Sequence, residues 1–337
     1  MKGFSQVLLI ALIIGFCSPV YAWGSDGHQM VAQVANGYLT NTTLNQIAKQ
    51  LNGYTLANIS TWPDNYDHSS AGEWSSQLHF VNNPTTALNF SYDSCIPPYA
   101  EPYGCVIAAI TNFTHVLQTN YDNDYYEKCT DTSDSDEPCP LSFVTHFLGD
   151  SHQPLHVAYE IDEGGNYVDV EYDNSCTNLH SVWDSRLLYT YEDDNDLDWY
   201  GVAMQMLDWL AEEPQAVSVF VGQTNPADWG SETFAIARFA PYNTSPATVP
   251  SASQWVISAF NYMETHNMTT LERSNYKVST QASSSDCGIV LGYSYYQKSI
   301  PVVFTQLAKA GTRLAYLLNN LYDPSFNGVL VPNHLFN

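Results

Sequence analysis

THFLGDSHQPLH (145–156) and NLHSVWD (178–184) are the stretches that decide how this chain is read. In the first, His146 is followed four residues later by Asp150, and in the second His180 is followed four later by Asp184. On a helix that interval puts both side chains on one face. His156 closes the first block. Imidazole nitrogen and carboxylate oxygen are donors that borderline-soft zinc accepts, so two such faces turned inward form a metal site. Zinc ions held close together bind phosphate oxygens and lower the pKa of water, the chemistry of phosphodiester hydrolysis.

Outward from these blocks, the chain's beginning reads as a secretory signal rather than as part of the fold. Lys2 supplies a positive start, 7–16 an apolar run, and Val20-Tyr21-Ala22 a small-x-small cleavage site. The run is too short for a membrane span, and no later stretch is long and apolar enough, so no stable membrane anchor is expected. The expected division is a signal peptide over 1–22 and one domain over 23–337, with Trp23 as the new N-terminus.

Charge sets a constraint. The full chain has 10 Lys and Arg against 35 Asp and Glu, a formal −25, and losing Lys2 makes it one unit more negative. Proteins that hold nucleic acid by counterion release are basic, so this balance is the wrong sign for unaided polyanion binding. Either the substrate is small or bound metal carries the attraction; three zinc ions restore about +6 locally. Most of the carboxylates are expected to serve solubility. The acidic runs 131–137 and 192–198 read as solvated loops.

Cys17 leaves with the signal, and six cysteines remain: Cys95, Cys105, Cys129, Cys139, Cys176 and Cys287. An even count in a secreted chain predicts three disulfides. Cys129–Cys139 is the preferred local pair, because the loop between them is polar and turn-rich; the other pairings stay open. Six N-x-S/T sequons, at Asn41, Asn58, Asn89, Asn112, Asn243 and Asn267, fit passage through a secretory pathway.

Helical periodicity appears at 28–40, 43–52, 104–119, 140–150, 178–190, 198–213, 251–265 and 299–320. In the last, Val302, Val303, Leu307, Ala310, Leu314 and Leu318 form a buried stripe. Strand character is confined to Tyr167, Val168, Val170 and Tyr172 after Gly164-Gly165, which predicts a short β-hairpin. The fold class is mainly α. Further ligand candidates lie upstream: His28 in WGSDGH, Asp64 in WPD and His79 in LHF. His68, His115, His152, His266 and His334 are expected to be ordinary surface or hydrogen-bonded histidines.

WGSDGH, WPD, LHFVN, GCVIAAITNFT (104–114), HFLGDSHQPLH, EGGN (163–166), NLHSVWD and AGTRLAYLLN (310–319) together resemble the class I nucleases. These are zinc-dependent single-strand-specific nucleases and 3′-nucleotidases of the S1/P1 type. The motifs run in family order from Trp23 to about Asn319. The resemblance implies a helical domain with three zinc ions in a cleft, acting on single-stranded RNA, single-stranded DNA and 3′-nucleotides. It implies that Asp64, His79, His146 and Asp150 bind a first zinc, and His156, His180 and Asp184 a second. A third would take the α-amino nitrogen and carbonyl oxygen of Trp23 with His28, Asp150 bridging the first and third. An α-amino group has a pKa near 8 and yields its proton readily to a metal, and a leftover residue before Trp23 would destroy that chelate. Signal cleavage would thus double as activation.

The same resemblance implies in-line, metal-assisted hydrolysis leaving a 5′-phosphate, with Asp64 also orienting the nucleophile. Phe80 would stack on an unpaired base, while Asn82 and Asn166 would hydrogen-bond its edge. There are two departures. Asn82 replaces a commoner Asp, and WPDNYDHSS carries Asp67 and His68 where an Arg near the phosphate is usual. Losing that charge-assisted contact predicts weaker activity on long strands than on mononucleotides. Zinc-dependent phospholipase C shares a similar three-zinc arrangement but has Glu at the last pair, so Asp184 and Phe80 favour nucleic acid. A secreted zinc-binding protein without catalysis is the alternative of another class. A secreted monomer is expected.

Overall fold

The computed structural model describes residues 23–97, 104–119, 139–242, 254–265 and 287–333. The first helices are α1 (Ser25–Asn36), α2 (Asn41–Gln50), α3 (Leu56–Ile59) and α4 (Trp62–Asp67). The last three begin where local chemistry satisfies a free backbone donor or removes one. Thr40 caps α2 by accepting from Thr43 N at 3.2 Å, Thr55 and Asn58 form a capping box on α3, and Pro63 stands in the first turn of α4. Next come α5 (Val106–Thr119) and α6 (Pro140–Asp150). After them α7 (Leu179–Ser181) runs through a π-helical turn at Val182–Arg186 into α8 (Leu187–Asn195). The rest are α9 (Trp199–Glu212), α10 (Pro214–Val221), α11 (Pro226–Ala237), α12 (Gln254–Thr265) and the 30-residue α13 (Tyr293–Tyr322).

All 11 residues of α6 are buried. A helix covered on every side lies in a core, and any polar group it carries must find a partner within the protein. His146 and Asp150 are two such groups. Around α6 pack α5, α1, α13 and α4, and α1 also lies against α13 and α9. The predicted stripe on α13 is buried from Val302 to Leu318, as its spacing requires. Mainly helical architecture was the expectation, and the described residues have it.

The predicted hairpin is present but incomplete as a description. β1 (Asp169–Tyr172) pairs antiparallel with β2 (Ser175–Asn178), and β3 (Ile289–Leu291) adds in parallel on the other side, giving the order β2-β1-β3. Cys176–Cys287 ties β2 to the segment before β3, and Cys95–Cys105 ties a 3₁₀ turn at Tyr92–Cys95 to the start of α5. Cys129 lies outside the described residues, and with it the expected Cys129–Cys139 pair; so does the 131–137 run. The 192–198 run is not a loop throughout. Residues up to Asn195 belong to α8, and Glu192 is buried. Helices α10 and α11, each opening on Pro, escaped the periodicity reading: α10 has only 8 residues, and the buried face of α11 includes Gly230 and Thr233, which break its apolar stripe. Asn41, Asn58, Asn89 and Asn112 are exposed; Asn243 and Asn267 lie outside the described residues. No helix among the described residues is long and apolar enough to cross a membrane.

Candidate metal centre

His146 and Asp150 share one face of α6. His146 Nε2 lies 3.3 Å from Asp150 Oδ2, 3.2 Å from Asp64 Oδ1 and 3.0 Å from His79 Nδ1. His79 Nδ1 in turn is 3.2 Å from Asp150 Oδ2 and 3.6 Å from Asp64 Oδ1. Asp64 arrives on α4, and His79 closes a 3₁₀ turn at Glu73–His79. Three separate segments therefore deliver two imidazoles and two carboxylates to one buried point.

A second group forms beside it. His156 Nε2 and His180 Nε2 are 3.0 Å apart, Asp184 Oδ1 is 3.6 Å from the former and Asp184 Oδ2 3.3 Å from the latter. The π-helical turn carries Asp184, and such insertions are frequent at functional sites. On the far side, the His28 ring stacks on His146 with centroids 3.7 Å apart and planes 12° from parallel. His28 Nε2 lies 3.3 Å from Asp150 Oδ1, so the two oxygens of Asp150 face different histidines. That fit requires glycine at 149, since a Cβ there would stand 2.9 Å from His28 Nδ1. Trp23 is fully buried, its Nε1 donating to Gly149 O at 3.0 Å, and Gly24 N donates to Asp184 O at 2.7 Å. The start of the described chain is thus pinned between α6 and the π turn.

Three rings are held by backbone carbonyls: His146 Nδ1 to Ser60 O, His156 Nδ1 to His79 O and His180 Nδ1 to Gly164 O, each at 2.7 Å. A carbonyl only accepts, so in a neutral ring the proton sits on Nδ1 and Nε2 points inward as a bare lone pair. This is the outer arrangement typical of metal-ligating histidine. Gly164 lies at φ +60, and a Cβ there would come 2.2 Å from Leu155 O. Both nitrogens of His28, His79 Nε2 and both oxygens of Asp150 are buried without a hydrogen-bond partner. Leaving such groups unpartnered is costly, and a cation among them supplies what they lack. The donor set, nitrogen and carboxylate oxygen, is one that zinc takes.

The field at the site has the same sign. Burial opposes charge on His146, yet the Asp150 and Asp64 carboxylates hold its pKa well above the ordinary value. Burial likewise works against ionised Asp150, and the facing His146 outweighs it, leaving that pKa well below the usual range. Asp184 behaves oppositely: burial raises its pKa well above the carboxylate range despite His180 and Gln153. Burial, followed by the charge of His146, lowers His28 to about 4. His28 thus stays neutral and available as a ligand, whereas His146 would release its proton to a bound metal.

Two supporting groups were not anticipated. Gln153 Nε2 donates to Asp184 Oδ1 at 2.6 Å while its Oε1 accepts from Leu155 N at 2.5 Å, locking the carboxylate's orientation. Its place between Asp150 and His156 was the available signal. His152, expected to be a surface or hydrogen-bonded histidine, is hydrogen-bonded and fully buried: Arg313 Nη1 meets its Nε2 at 2.7 Å, and Arg313 Nη2 and Lys309 both reach Glu232. Among the expected base contacts, Phe80 and Asn82 are half-buried and alternate with the buried Val81 and Asn83, whose amides bond His156 O and Ala158 O. Alternation in extended chain puts Phe80 and Asn82 on one side. Asn166 is half-buried, its Nδ2 donating to Glu163 O at 2.9 Å. His68 is exposed beside Asp67, His115 is exposed on α5, and His266 and His334 lie outside the described residues.

Comparison with known proteins identifies the family. A family model described as S1/P1 nuclease matches residues 23–323. Endonuclease 4 of Arabidopsis thaliana is 29% identical over 329 residues, covering 96% of this chain and 95% of that protein. Nuclease S1 of Aspergillus oryzae is 30% identical over 317 residues, covering 92% and 95%. Nuclease P1 of Penicillium citrinum is 37% identical over 173 residues, covering 48% and 57%. With three buried His/Asp groups able to hold metal and a match over nearly its whole length, the chain belongs to the S1/P1 nuclease family, hydrolases of phosphodiester bonds.

Proposed function

We propose that this protein is a secreted zinc-dependent nuclease that cuts single-stranded RNA and DNA to 5′-mononucleotides and removes phosphate from 3′-nucleotides. The observation that carries the reading is the convergence of three buried His/Asp groups, with imidazole lone pairs turned inward by carbonyls behind them. Asp64, His79, His146 and Asp150 would hold one zinc, His156, His180 and Asp184 a second, and Trp23's amino nitrogen and carbonyl oxygen with His28 a third. Bound zinc there supplies Lewis-acid polarisation of phosphoryl oxygens and a lowered pKa for water.

The chain's own residues do the rest. Asp64 is held ionised: burial opposes this, but the neighbouring His146 and His79 lower its pKa. An ionised carboxylate at that point accepts a hydrogen bond from the attacking nucleophile and aligns it with phosphorus. Phe80 offers a ring face for an unpaired base, while Asn82 and Asn166 offer amides to its edge. Stacking needs a base free of its partner, which accounts for single-strand preference. A surface of formal −25 does not attract the polyanion, so affinity rests on the centre itself.

The test uses protein beginning at Trp23, incubated with single-stranded RNA, single-stranded DNA and 3′-AMP, with and without chelator. Cleavage to 5′-phosphate products, abolished by chelator and restored by zinc, is the expected result. Turnover on 3′-AMP is expected to exceed that on polymer, because Asp67 stands where the resemblance implies Arg. No hydrolysis of any of the three by zinc-loaded protein sinks the reading. The matching relatives are nucleases and Asp184 closes the last His pair, so neither phospholipase activity nor metal binding without catalysis is favoured.

A further inference from the structure

His79 is turned around relative to His146, His156 and His180. Those three give Nδ1 to a carbonyl and keep Nε2 for the centre, whereas His79 presents Nδ1 to Asp64, Asp150 and His146. Its outward nitrogen, Nε2, has no hydrogen-bond partner although the residue is only 4% exposed. The charged atom facing it is Asp67 Oδ2, 4.0 Å away. Asp67 is the last residue of α4, one turn beyond Asp64, and its side chain is 11% exposed. Its other oxygen, Oδ1, faces His68 Nδ1 at 3.3 Å.

We infer that Asp67 is a positioning residue for the metal centre: its carboxylate is the acceptor that the Nε2–H of His79 faces, and it holds that ring with Nδ1 turned toward Asp64 and Asp150. The inference rests on the zinc reading above. Helix formation does not account for an acid here, because negative charge at a helix C-terminus opposes the dipole. A largely buried carboxylate also loses hydration, which a facing imidazole N–H compensates. When Nδ1 is a lone-pair ligand, the ring proton must sit on Nε2, and Asp67 is the acceptor in front of it. A carboxylate behind a histidine raises its basicity more than a carbonyl does, so His79 becomes the strongest imidazole donor of the set. The position that in the resembling family serves the phosphate thus serves a ligand in this chain.

The experiment compares wild type with Asp67→Asn, which keeps shape and loses charge, and Asp67→Glu. Zinc affinity is read by chelator competition, and the His79 ring proton by nitrogen-edited NMR of zinc-loaded protein. Expected is a loss of roughly 10–100-fold in affinity for one zinc in Asp67→Asn, with the others retained and Asp67→Glu recovering part of it. In wild type the His79 Nε2 proton is visible, downfield and slow to exchange, and this needs no variant. Unchanged affinity in Asp67→Asn, equal weakening of every zinc, or a rapidly exchanging ring proton overturns the inference. A wild-type protein that takes up no zinc would instead overturn the nuclease reading.

Discussion

The Nε2 atoms of His156 and His180 stand 3.0 Å apart, each on a ring whose Nδ1 bonds a backbone carbonyl. With both protons committed to Nδ1, two lone pairs face one another. In the Nδ1–H tautomers that the carbonyls select, this contact gains nothing by itself, and a cation between the rings would use both nitrogens. Replacing His180 with Ala should therefore leave the metal-free Tm unchanged or raise it, while lowering the zinc-loaded Tm and removing one zinc. Thermal melts with and without zinc decide this; a metal-free Tm that falls steeply would show the ring to be structural.

Gln153 bridges Asp184 and the amide of Leu155. Gln153→Leu keeps bulk and loses both hydrogen bonds. Zinc affinity or turnover should drop by about 10–100-fold with little change in far-ultraviolet circular dichroism. Wild-type values for both would show that Asp184 needs no orienting partner.

A single Met placed before Trp23 converts the proposed amino ligand into an amide. Such a protein should hold one zinc fewer than the form beginning at Trp23 and lose most of its hydrolytic activity. Zinc content by elemental analysis of the two forms is the measurement, and equal content would remove Trp23 from the ligand set.

Away from the candidate metal centre, Glu192 on α8 is raised from 4.5 to about 8, by burial first and then by Asp26, Asp193 and Asp198. A pKa raised on folding means the folded state binds the proton more tightly. The contribution is complete below pH 4.5 and is lost as pH rises through about 8. Glu192→Gln removes that loss, so variant minus wild-type Tm should grow steadily across this window. A constant difference would show that Glu192 titrates normally.

Arg313 is 2% exposed and binds His152 Nε2, Phe220 O and Glu232. Through His152 it holds the end of α6 in place, next to Gln153. Arg313→Ala leaves Glu232 with Lys309 alone and strips His152 of a partner, and should destabilise by about 3–5 kcal/mol. Denaturant unfolding of metal-free protein measures it.

The helix 140–150 was legible to the residue because Pro140 opens it and apolar residues surround its polar pair. The His/Asp interval at 146/150 was equally legible, since four-residue spacing puts both on one face of an α-helix; 180/184 was legible as a pair, but the π-helical turn that carries Asp184 was not. Helices α10 and α11 were not: α10 is too short for a periodic signal to build up, and Gly230 and Thr233 interrupt the apolar face of α11. β3 was invisible for another reason: Ile289-Val290-Leu291 pairs in parallel with a strand more than a hundred residues earlier, and no local turn announces such a partner. Glu192 was misread because acidic composition says nothing about which face of a helix a residue occupies.

Sequence alone determined the candidate donor types, the order in which the motifs run and the mainly helical class, because local spacing and donor chemistry are properties of the chain itself. Tertiary structure decided which histidine nitrogen faces inward, that Gln153 holds Asp184, and that Asp67 stands behind His79. Those depend on carbonyls and side chains brought together from distant segments by burial of α6, and no reading of neighbours along the chain contains that information.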